Sequence, residues 1–72
     1  MDTLDLHGVR HNEAEQIIED FVLTCELPAD VIVGNSIVMN KILNSVLKRH
    51  GLGHWYKNSN NLGCVTVLEN PL

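Results

Sequence analysis

Asp5 and His7 stand two residues apart in the stretch Leu4-Asp5-Leu6-His7-Gly8. A carboxylate near an imidazole can orient it, raise its proton affinity or share a divalent cation with it. In an extended strand successive side chains point to opposite faces, so Leu4 and Leu6 enter the core together while Asp5 and His7 share the other face. Gly8 then lets the chain turn sharply. This is the arrangement of a site at the carboxyl end of a strand, where open α/β sheets bind ligands. From these five residues alone, a solvated strand face carrying a carboxylate–histidine hydrogen bond is the simpler account. His11, one turn further on, could approach the same edge, although an exposed loop residue is the simpler account.

A second group follows an apolar run. Gly34-Asn35-Ser36 separates Ala29-Asp30-Val31-Ile32-Val33 from a helix-forming segment. Backbone N–H groups and the Ser36 hydroxyl at a helix start can face an anion such as phosphate, although a plain left-handed turn with a capping Ser is the simpler account. The chain has neither GxGxxG nor a P-loop lysine, so nucleotide binding of those kinds is unsupported. If the two strands are parallel neighbours, His7-Gly8 and Gly34-Ser36 meet at one edge of the sheet.

The fixed positive charges are Arg10, Lys41, Lys48, Arg49 and Lys57. Lys41 and Lys48, seven residues apart on one helical face, suit phosphate contacts along a backbone, although ordinary surface charge explains them as well. Trp55 and Tyr56 point to opposite faces of their strand, which leaves one for the core and one free to stack on a base. His54 shares the face of Tyr56. The amides of Asn58 to Asn61 can reach phosphate or sugar, but turns favour Asn for conformational reasons too.

These groups need a scaffold, and the pattern supplies one. Thr3 to His7 reads as a strand. Asn12 reads as the N-cap of a helix, with Glu15 completing a capping-box-like pair. Ala14, Ile17, Ile18, Phe21, Val22 and Cys25 form its buried stripe, Glu15, Glu19 and Asp20 are left for solvent, and the helix ends near Glu26. Ala29 to Val33 is a buried strand. Ser36 caps a second helix whose stripe is Val38, Met39, Ile42, Leu43, Val46 and Leu47, with Lys48, Arg49 and His50 in its last turn and Gly51 beyond. His54 to Lys57 and Cys64 to Leu68 are strands joined by a polar hairpin loop over Asn58–Gly63, and Pro71 marks the domain end. The order βαβαββ predicts an α/β (α+β) two-layer sandwich: a mixed four-stranded sheet with two helices on one face.

Seventy-two residues make one domain spanning 1–72, and a hydrophobic content of 44% can build a core without metals or disulfides. No apolar run is long enough to span a bilayer, and the start lacks the features of a signal peptide, so a cytoplasmic location is expected. Cys25 and Cys64 lack CxxC spacing and read as buried free thiols. Neither is placed beside a base, which leaves a nucleophilic triad poorly supported, and paired carboxylates for glycoside hydrolysis are absent outside the first helix. The net charge of −4 is unevenly distributed: residues 1–36 hold eight acids and one base, residues 37–72 one acid and four bases. Such polarity can leave a basic face on an acidic domain.

With Glu13-Ala14 at the expected spacing after Leu4-Asp5-Leu6-His7-Gly8, and with this element order, the chain resembles the Smr (small MutS-related) domain family over nearly its whole length. The resemblance implies a fold similar to the C-terminal domain of translation initiation factor three. It also implies binding of DNA or RNA, with endonuclease or nicking activity in several members. Val33-Gly34-Asn35-Ser36 departs from the family's TGxG, losing a Thr hydroxyl and a Gly, and the closing hairpin keeps only Gly63 of a Gly-rich turn.

Two functions are therefore expected to compete. In the first, nucleic acid lies along Gly8, Arg10, Gly34, Asn35, Ser36, Lys41, Lys48, Arg49 and Lys57. Any cleavage is phosphodiester hydrolysis, with His7 as general acid or base and Asp5 orienting it or holding a divalent cation, for which Mg2+ is the candidate cofactor. In the second, a non-catalytic adaptor uses the acidic first helix to contact a protein partner.

Overall fold

The computed structural model describes residues 2–58 and 61–69; the side chains of residues 57, 58, 61 and 62 fall outside this description. The elements run β1 (Thr3–Asp5), α1 (His11–Thr24), β2 (Ala29–Ile32), α2 (Ile37–Arg49), β3 (Leu52–Asn58) and β4 (Asn61–Glu69). The sheet order is β1-β2-β4-β3. β1 lies parallel to β2, and β4 is antiparallel to both β2 and β3. The last strand thus inserts between β2 and β3, which leaves β2 and β3 parallel and joined across it by α2. The Cα radius of gyration, 11.0 Å, is that of a compact chain of this length, about 11 Å.

Strand register sorts the residues by face. Leu4, Val31, Val65 and Tyr56 form one row across the sheet, and Ala29 and Val67 lie on the same side. Val31, Val65 and Val67 are fully buried in one cluster with Ala14, Ile18 and Val22 of α1 and with Met39, Leu43, Val46 and Leu47 of α2. Both helices therefore cover this face, and the architecture is α+β. The opposite face carries the row Thr3, Asp30, Thr66, Trp55 and the shorter row Asp5, Ile32, Cys64. There Trp55 is 60% exposed, and Thr66 donates to Asp30 Oδ1 at 2.8 Å. Tyr56 is the aromatic that turns toward the helices, its ring edge-on to His54 at 5.8 Å.

Several boundaries differ from the sequence expectation. α1 begins at His11, and Arg10 rather than Asn12 is its N-cap, with no side-chain cap bond. The carbonyl of Arg10 accepts the amides of Glu13 and Ala14, and the half-buried Val9 packs against the core. An apolar residue just outside a helix and a buried one at its fourth position fix the entry of the chain, which here outweighs the capping preference of Asn12. α1 ends at Thr24, where the Cys25 amide bonds the Phe21 carbonyl. Val38 is half exposed instead of lying in the α2 stripe. β3 starts at Leu52, because the positive φ of Gly51, 68°, redirects the chain directly into the strand. The pairing of Asn58 with Asn61 shortens the expected loop, whose Ser59 and Asn60, like Pro71, lie outside the described residues.

The acids of α1 are not all left to solvent. Glu15 Oε1 accepts from Arg49 at 2.6 Å, and Glu19 meets both Arg49, at 3.8 Å, and His50 Nε2, at 3.1 Å. These pairs tie α1 to the end of α2. The Arg49 pair is about half exposed, so it adds little stability, but it engages a cation expected to be free. Hydrogen bonding to Glu15 and its negative charge hold the guanidinium above its ordinary pKa. Cys25 and Cys64 are free thiols, both partly rather than fully buried.

Candidate functional site

Two turns end the two parallel strands side by side. After β1, Leu6 continues the alignment by donating its amide to the Ile32 carbonyl at 2.9 Å, and the Val9 amide closes back on the Leu6 carbonyl at 3.0 Å. Gly8, the third residue of this turn, has φ 80°, as a type II turn requires. After β2, the amides of Val33 and Gly34 both donate to the Gly63 carbonyl, at 2.7 and 3.2 Å. Gly34 has φ 65° and turns the chain into α2. There the Ser36 Oγ accepts the Met39 amide at 3.0 Å, the N-cap bond that the sequence predicts.

Between the turns lies a cleft of about 310 Å³, at the lower end of the range for small-ligand sites. Its polar lining is His7, Gly8, His11, Gly34, Asn35 and Ser36. Its apolar lining comes from Leu6, Val9, Ile32, Val33 and Met39. The positive end of α2 opens onto this space and favours an anion there. The edge shared by His7-Gly8 and Gly34-Ser36 is thus present in the fold.

The structure also separates residues that the sequence grouped. Asp5 is absent from the cleft lining; its Oδ1 accepts the backbone amide of His7 at 2.9 Å. No hydrogen bond joins the Asp5 carboxylate to the His7 ring among the described residues. Nor does any group of three or more His, Cys, Asp or Glu side chains converge as a cation site among them. The donor set around His7 does not fit a divalent cation.

The basic residues are dispersed. Arg10 is exposed at the start of α1. Lys41 and Lys48 are exposed on α2, and Lys48 borders a separate cleft with Asn44, Leu47, Gly51, Leu52 and His54. With 1.5 Å rise per residue, Lys41 stands about 7.5 Å and Lys48 about 18 Å along the helix from Ser36. Arg49 is held by Glu15, and the Lys57 side chain lies outside the described residues.

His11 lines the cleft, the alternative that the sequence reading ranked below an exposed loop residue, and it was left out of the candidate site. Its position four residues after His7, across a Gly-containing turn, was the available signal. The expected helix start at Asn12 hid it by leaving His11 in a loop. In comparisons with known proteins, the chain matches no family model, no curated protein and no solved structure.

Proposed function

We propose that this chain is an Smr-like nucleic-acid-binding domain, related in fold to the C-terminal domain of translation initiation factor three, and that it seats a backbone phosphate in the cleft between the Gly8 and Gly34 turns. The observation that carries this reading is the meeting of His7-Gly8 and Gly34-Asn35-Ser36 in one cleft at the positive end of α2. An extended anionic chain leaving that cleft along α2 passes Lys41 and Lys48, which gives a polynucleotide more contacts than a free phosphate. The proposed reaction is scission of a phosphodiester bond, with His7 moving a proton at the bound phosphate. Asp5 supports this by fixing the turn that presents His7.

Titration of the labelled protein with a short single-stranded RNA and with DNA of the same sequence tests the reading. Binding should move the amide signals of Gly8, Gly34 and Asn35 and weaken steeply as salt rises.

A second reading, a non-catalytic protein adaptor, is favoured by one different observation: the exposed Trp55 on the sheet face opposite the helices, beside Thr66 and Asp30. Aromatic residues are enriched in protein interfaces. Glu15 and Glu19 serve this reading less well, since both are engaged by α2. Trp55→Ala abolishing partner binding while leaving nucleic-acid binding intact supports the adaptor.

A further inference from the structure

We propose that His11 is the second proton-transfer group of the cleft, which makes the site a two-imidazole centre suited to RNA; this rests on the phosphate-binding reading above. Among the described residues, His7 and His11 are the two ionisable side chains lining the cleft, and the other lining residues are apolar or neutral. The Gly8 turn lets both line one cleft, because the Leu6–Val9 bond reverses the chain between the end of β1 and the start of α1. Both side chains are exposed, so a substrate can reach them. Ser36 already serves as the helix cap through its Oγ, and the Asp5 carboxylate is bonded to the His7 amide outside the cleft lining.

Two imidazoles match the proton inventory of RNA cleavage by its own 2′-hydroxyl. One, neutral, takes the proton of the 2′-OH as the 2′-oxygen bonds to phosphorus. The other, protonated, gives its proton to the 5′-oxygen as the P–O5′ bond breaks. The products are a 2′,3′-cyclic phosphate and a 5′-hydroxyl, and proton exchange with water resets the pair. DNA lacks the 2′-hydroxyl and offers no internal nucleophile to this arrangement.

The test incubates the full chain, in the presence of a chelator, with a short single-stranded RNA, with the same RNA carrying 2′-deoxy nucleotides, and with matching DNA. The proposal expects cleavage of the unmodified RNA alone, leaving cyclic phosphate and 5′-hydroxyl ends. His11→Ala should lower the rate by about 10²-fold or more, far beyond any change in RNA affinity, while the amide spectrum stays that of the folded protein. Added imidazole should restore part of the lost rate, which a merely structural role for His11 would not permit. Cleavage by His11→Ala at the wild-type rate, equal cleavage of 2′-deoxy substrates, or no cleavage by the wild type overturns the proposal. If RNA still shifts the Gly8 and Gly34 amides in any of these cases, the binding reading survives; if no nucleic acid shifts them, both fail.

Discussion

The carboxylate of Asp5 accepts the backbone amide of His7 at 2.9 Å. Two side chains that the sequence places on one strand face thus act in different places: Asp5, the last residue of β1, holds the turn, and His7, within the turn, lines the cleft. Asp5→Ala should lower stability by about 0.5–1.5 kcal/mol, the range for one net hydrogen bond, and reduce cleavage less than His7→Ala does. Asp5→Asn keeps an acceptor and should recover most of both. Denaturant melts and single-turnover rates on the three variants check this.

Gly34 adopts φ 65° with open space where a Cβ would lie. The cost of a side chain there is conformational rather than steric crowding, about 1–2 kcal/mol for Gly34→Ala. The same change shifts the Gly34-Asn35-Ser36 turn and should weaken RNA binding. Thermal melting and a binding titration of the variant measure the two effects.

Lys41, Lys48 and Arg49 should not contribute equally to nucleic-acid binding. Neutralising Lys41 or Lys48 should each reduce the slope of log affinity against log salt by about 1. Arg49→Ala should change that slope less, because its guanidinium is bonded to Glu15, and should instead loosen the contact between α1 and α2. Affinities measured at several salt concentrations, together with amide exchange in α1, separate these outcomes.

Burial and the negative charge of Asp2 hold the Cys25 thiol above its ordinary pKa. The native state then keeps this proton more tightly than the unfolded chain does. Its contribution to stability is fully present below the unfolded thiol pKa and is lost as pH rises through the raised native value. Cys25→Ser should flatten the alkaline limb of a stability–pH curve, read from denaturant midpoints.

Much of this arrangement is legible locally. The alternation around Leu4, the β-branched run at Val31 to Val33 and the capping Ser36 each point to an element through neighbours a few residues away, although the first strand, expected to run to His7, stops at Asp5 where the Leu6–Val9 turn bends the chain. What escaped depends on distant contacts. The start of α1 is set by Val9 packing into the core, a tertiary effect that overrides the cap signal at Asn12 and carries His11 into the cleft. The Arg49–Glu15 pair spans 34 residues of sequence, and no local pattern reveals it. The insertion of β4 between β2 and β3 depends on long-range pairing for the same reason.

The central claim is that the Gly8 and Gly34 turns form one phosphate-binding cleft. Its most direct test is the amide spectrum of the labelled chain at low salt during titration with a short single-stranded RNA. The account predicts shifts at Gly8, Gly34 and Asn35 that saturate together and disappear as salt is raised. No shift at either turn, or shifts confined to the sheet face around Trp55, would contradict it.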